Sequence, residues 1–174
     1  MHSLFRFSAG ASAAALLAAA AAPAVADDCA TLNAAATAQA TLPYASTSVT
    51  TVPGKPDRHS EMIVVDDMLY LQDEGGTWQA IPYDAQKVID AIGDAAAGTH
   101  HCRKTGSEPV DGETASIIID RPGDEGKTGE ARYWISDTRG LPLKLELQGE
   151  GGRVIREHWR YDNIQAPTGS KPAP

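Results

Sequence analysis

Phenylalanine is missing from this sequence beyond residue 7, and three Trp and five Tyr complete its aromatic content. Large apolar surface therefore has to come from those eight rings and from aliphatic side chains. Basic charge is also scarce: 15 Lys and Arg stand against 23 Asp and Glu, for a formal charge of −8 over 174 residues. No basic stripe is interleaved with aromatics, so duplex nucleic acid and anionic lipid headgroups are poor partners, whereas a basic protein surface suits the charge. Catalytic signatures are lacking too. No Ser stands in a nucleophile-elbow pattern, and His59, His100, His101 and His158 are scattered among charged neighbours. Asp66-Asp67 and Asp73-Glu74 fall in turns without the ligand spacing of a calcium loop. No catalytic residue, metal or cofactor is assigned, and the expected function is non-enzymatic.

The one long apolar run lies at the start. Residues 1–26 read as a signal peptide: Arg6 is a weak basic n-region, "ASAAALLAAAAA" is too short to span a bilayer, and Ala24-Val25-Ala26 is a small-x-small cleavage site. Cleavage after Ala26 would place the chain in the periplasm or outside the cell, without a stable membrane anchor. Cys29 follows Asp27 and Asp28 rather than the small apolar residues that precede a lipid-attachment cysteine. In an oxidising compartment the two cysteines, Cys29 and Cys102, most simply pair. A metal site on His100-His101-Cys102 is the alternative, but adjacent histidines on a strand point to opposite faces.

Residues 27–165 are expected to form one domain and 166–174, rich in Pro, Gly and Ser, a disordered tail. Asp27 or Asp28 can cap a short Ala-rich helix that stops before Pro43. "YASTSVTTV" predicts a strand, and "HSEMIVVDDMLYLQDEGGTWQAIP" predicts three more in a meander. A second helix is predicted after Asp84, ending at Gly98, with Ala85, Val88, Ile89, Ile92 and Ala96 on one stripe that should lie on a sheet. A strand around His101 to Lys104, a polar turn "GSEPVDGE" and the strand "TASIIIDR" come next. Three strands close the domain: "EARYWIS", "LPLKLELQ" and "RVIREHWRYDNI".

Alternation puts Leu141, Leu143, Leu145 and Leu147 on one face and Lys144, Glu146 and Gln148 on the other. In the last strand Ile155, Trp159 and Tyr161 share a face interrupted by Glu157. The pattern is that of a twisted antiparallel sheet with a single apolar face. A carboxylate on that face is costly unless paired, so Glu157 is expected at the strand edge beside Arg132 or Arg139, the alternative being a polar point in a pocket.

The aromatic strand, the turn, "GLPLKLEL", the Gly-rich turn and the closing strand ending "YDNIQAP" resemble the C-terminal half of the LolA/LolB-like lipoprotein-carrier superfamily. The resemblance covers Tyr133 to Pro167 as motif and most of the chain beyond Ala26 as an order of elements. It implies an α+β fold in which a curved antiparallel sheet forms an incomplete β-barrel covered by two or so helices. It further implies that the concave face holds a lipid or an acyl chain of a lipoprotein. The residues of that face would be Met62, Val64, Leu71, Ile118, Tyr133, Ile135, Leu143, Leu145, Trp159 and Tyr161. A carrier or sensor of an apolar ligand is therefore the expected function, with a protein-binding module using the acidic surface as the alternative.

Overall fold

The computed structural model describes residues 27–72, 75–123 and 129–172. The leader expected over 1–26 lies outside them. Helix α1 spans Asp28–Ala40, followed by β1 (Tyr44–Thr51), β2 (Arg58–Val65), β3 (Met68–Gln72) and β4 (Trp78–Pro82). Helix α2 (Ala85–Ala96) precedes β5 (His100–Val110), β6 (Glu113–Pro122), β7 (Glu130–Ser136), β8 (Pro142–Gln148), β9 (Val154–Arg160) and the two-residue β10 (Lys171–Pro172). The strands form one sheet in the order β10-β4-β3-β2-β1-β9-β8-β7-β6-β5. Every pairing is antiparallel except that of β10 with β4. The sheet is not closed, because β5 and β10 have no mutual partner, and the incomplete barrel expected from the resemblance is the observed form.

Helix α1 has no strong apolar stripe, and its small side chains make up for this by close approach. Leu32 and Ala35 are buried against Ile118 and Ile135 of the sheet. Asp27 caps the helix by accepting from the Cys29 amide, and the Asp28 carboxylate accepts from the Lys104 amide of β5 at 2.7 Å. Cys29 and Cys102 form the expected disulfide, which removes the thiolate a metal site at His100-His101-Cys102 would need. Helix α2 is capped by Asp84, as read from the sequence. It does not lie on the sheet, however. It packs on α1, and none of its residues is fully buried.

Four further expectations are corrected. The "GSEPV" segment is strand rather than turn: β5 runs to Val110, and only Asp111-Gly112, both at positive φ, make the two-residue hairpin. Pro109 is tolerated there because β5 is a sheet edge. The tail is not free along its length, since Lys171 and Pro172 pair with Gln79 and Ala80. The last long strand ends at Arg160, so Tyr161 stands just past it.

The sheet also has two apolar faces rather than one. Tyr44, Val64 and Leu69 form one row of cross-strand neighbours, and Ala45, Ile63 and Tyr70 form the alternating row. The second row is buried with Val65, and the partly buried Met68, Trp78, Ala80 and, from the segment after β9, Ile164 pack against it. Burying both faces explains why these strands read as near-continuous apolar runs.

Candidate functional site

The concave face is built from alternate residues of adjoining strands. Ile118 of β6 opposes Tyr133 of β7, Tyr133 opposes Leu145 of β8, and Leu145 opposes Glu157 of β9. Trp159 opposes Ser46 of β1, and Ser46 opposes Met62 of β2. This row gathers most of the residues expected from the resemblance. Val64 and Trp159 are buried with Tyr44, and Met62, Leu69, Tyr83, Leu145 and Tyr161 pack around them. Ile118 and Ile135 are buried beneath α1, with Tyr133 and Cys102 at their border.

One expected residue, Leu143, is placed elsewhere, and another, Leu71, continues the row opposite Met62 at its exposed margin. Leu71 is 38% exposed and belongs to none of the buried clusters. Leu143 is 1% exposed and packs with Ala115 and Trp134 rather than with Leu145. The cause is a bulge. Trp134 pairs with Lys144 and Ile135 with Pro142, which leaves Leu143 as the extra residue of β8. Leu143 and Lys144 consequently lie on the Trp134 side, where the Lys144 ammonium sits 4.1 Å from the centroid of the indole. The strict alternation read in "LPLKLELQ" holds only from Lys144 onward.

Two cavities open between the helices and this face. The larger, about 450 Å³, lies among α1, the last turns of α2 and the start of β5, lined by Leu32, Ala36, Ile92 and Ala95 together with the Cys29–Cys102 disulfide and Tyr133. Its polar lining is Asp27, Asn33, His100 and Asp120. The smaller, about 190 Å³, lies deeper under α1 among Leu32, Ala36, Gln39, Tyr133, Ile135, Pro142, Leu145 and Trp159. The cavities share Leu32, Ala36 and Tyr133, so they meet beneath the middle of α1. A ligand of ordinary size needs roughly 300–1,000 Å³, which the larger one alone supplies. The α1 residues were missed from sequence because an Ala-rich helix with weak amphipathicity announces no ligand face.

Polar groups mark both ends. At the deep end the Tyr161 hydroxyl donates to the Pro142 carbonyl and accepts from Gln39, which fastens the end of α1 to β8. Tyr83 donates to the Ala40 carbonyl. Burial, reinforced by the charges of Tyr83 and Glu157, holds the Tyr44 phenol above its ordinary range, and burial does the same for Tyr161. Glu157 is not the edge residue expected. Arg132 pairs with Glu130 and Arg139 with Glu113, while Glu157 stands on the concave face opposite Leu145, near Ser46 and Trp159. Burial raises its carboxyl above the usual range, and the polar side chains of Ser46 and Trp159 oppose the rise. At the open end His100 Nδ1 lies 3.0 Å from Asp120 Oδ1.

No sequence-family model and no curated protein matches the chain. Solved structures do. A chain of the MucA/MucB complex of Pseudomonas aeruginosa aligns with 20% identity and a TM-score of 0.55, over 81% of this chain and 59% of that one. MucB in complex with MucA(peri) aligns with 22% identity and a TM-score of 0.52, over 82% and 60%. A LolA superfamily protein from Nitrosomonas europaea aligns with 11% identity and a TM-score of 0.28, over 68% and 83%. This chain thus spans about three-fifths of the first two. Over the aligned span the chain shares its fold with those first two structures.

Proposed function

We propose that this protein is a non-enzymatic periplasmic carrier or sensor that shields an apolar ligand, a lipid or the acyl chain of a lipoprotein, between its helices and the concave face of its sheet. The observation that supports this reading most is the pair of cavities that meet under α1, the larger of them bordered by the last turns of α2, a helix with no fully buried residue. Ile92, Ala95 and Ala96, which border the larger cavity, would gain burial from a ligand that the protein itself does not supply. The residues proposed to touch it are Met62, Val64, Ile118, Tyr133, Ile135, Leu145, Trp159 and Tyr161, joined by Leu32 and Ala36. No proton transfer is asked of any of them; burial alone does the work. The disulfide fits an oxidising compartment.

A second reading is supported by MucB, a fold neighbour found in complex with the protein MucA. On that reading the acidic surface holds a basic protein partner. Native mass spectrometry of the protein recovered from the periplasm without detergent separates the two. A lipid adduct retained at low collision energy is the expected result. A bare polypeptide mass, together with failure to take up the uncharged dye N-phenyl-1-naphthylamine, would sink the carrier reading and leave the protein-binding one.

A further inference from the structure

Tyr133 stands where the two cavities meet, on β7 between Ile118 of β6 and Leu145 of β8, and it lines both of them. Two neighbouring phenols are engaged, Tyr161 with the Pro142 carbonyl and Gln39 and Tyr83 with the Ala40 carbonyl. The Tyr133 hydroxyl makes no hydrogen bond among the described residues. No enclosed side-chain oxygen or nitrogen of those residues lacks a partner, so this one is open to the cavity space it lines. Burial, reinforced by the charges of Asp120 and Glu157, holds the phenol above its ordinary range, and it is an O–H with a proton to give at neutral pH. Leu32 and Ala36, the other residues common to both cavities, offer no polar atom in its place. A ligand that fills both cavities excludes water from this point. A plain methylene chain would leave the donor unmet, which is costly, whereas a ligand oxygen there restores the bond. That oxygen has to be uncharged, since carboxylates near enough to act on the phenol would repel a third.

Resting on the carrier reading, we infer that the Tyr133 hydroxyl donates a hydrogen bond to the carbonyl oxygen of an ester- or amide-linked acyl chain. The methylenes run under α1 toward Leu145 and Trp159 in the smaller cavity, and the remainder of the molecule occupies the larger one. The carbonyl is the atom that falls at the junction because it is where the apolar chain of an acylated molecule ends. Tyr133 thereby fixes how far the chain enters. It also distinguishes an acyl ester or amide from a bare hydrocarbon, because a site built to hydrogen-bond one group is left unpaired by a ligand that lacks it.

The test is displacement of N-phenyl-1-naphthylamine, which carries no oxygen, by methyl decanoate and by N-methyldecanamide, each below its solubility limit. Every constant is taken against the same variant's own affinity for the dye. Tyr133→Phe keeps the ring and removes only the hydroxyl, and it should weaken the tighter probe relative to the dye by roughly two- to tenfold, the worth of one hydrogen bond. Tyr70→Phe, in the buried row on the opposite face, should leave both probes binding as before. Which probe binds tighter tells an ester ligand from an amide one. Infrared spectra of the bound, isotope-labelled probe supply a readout that packing alone does not move: the carbonyl band should lie at lower frequency than in an apolar solvent, and return toward that position in Tyr133→Phe. A band at the apolar-solvent position in the unmodified protein, or an affinity ratio and band unchanged by Tyr133→Phe, overturns the inference while the carrier reading stands. So does uptake of the dye with uptake of neither probe. If neither the dye nor either probe binds, both fall together.

Discussion

Leu143→Ala should lower stability by about 2–5 kcal/mol and leave uptake of an uncharged apolar probe in place. Leu145→Trp, two residues on, should do the reverse. The contrast follows from the bulge in β8. Leu143 is 1% exposed, in a cluster with Ala115 and Trp134, and truncation there removes buried methyl groups and leaves a cavity with no ligand to fill it. Leu145 is only partly buried, and it lines the deep cavity opposite Tyr133. A larger ring at that position occupies space that is already empty, so overpacking is avoided while the path beneath α1 is blocked. Urea or thermal unfolding measures the first effect and fluorescence titration with N-phenyl-1-naphthylamine the second. If Leu143→Ala abolished probe binding with an unchanged midpoint, or Leu145→Trp unfolded the protein and spared binding, the assignment of the two faces would be wrong.

These two leucines also show where the sequence stops being readable. Alternation identifies a strand, and it identifies faces only while the register is unbroken. In "GLPLKLEL" the proline was the available signal of a break, since Pro inside a central strand points to a bulge or an edge. The strand-turn-strand order and the caps, at Asp27 or Asp28 and at Asp84, were legible because each depends on a few neighbouring residues, and the disulfide because the sequence has two cysteines to pair. The length of β5 was not, because Gly106, Ser107 and Pro109 look like turn composition, and it is the edge position that permits them there. The burial of Ala45, Ile63 and Tyr70 depends on Ile164, a hundred residues further along, which no local pattern announces. Glu157 was recognised as an anomaly on an apolar face, but its neighbours could be known only after Ser46 was brought beside Trp159. Of the candidate site, the sheet half was visible as apolar strand faces and the α1 half was not, because alanines that admit a helix close to a sheet carry no periodic signal.

Removing the disulfide should have an effect of similar size, and on the same cavity. Cys29 lies at the start of α1 and Cys102 on β5, 73 residues apart, so the bond closes a long loop and restricts the unfolded chain by roughly 4 kcal/mol in the chain-entropy model. For a domain of this size that corresponds to a fall in thermal midpoint on the order of 10–15 °C on full reduction. The native state should feel the loss at one end of α1 only. Gln39 still reaches Tyr161, and Leu32 and Ala35 still pack on Ile118 and Ile135, whereas Asp27, Cys29 and Asp120 frame the opening of the larger cavity. Reduction should therefore speed release of a bound apolar probe more than it weakens the remainder of the fold, because a short helix held by tertiary contacts frays first where an anchor is lost. The measurements are the thermal midpoint and the stopped-flow dissociation rate of the dye, with and without a phosphine reductant, the thiol state being confirmed by alkylation and intact mass. The Cys29→Ala/Cys102→Ala double variant should reproduce both changes and become insensitive to reductant. A midpoint unmoved by complete reduction would show that α1 is held by its packing alone, and the disulfide would then have no part in keeping the cavity closed.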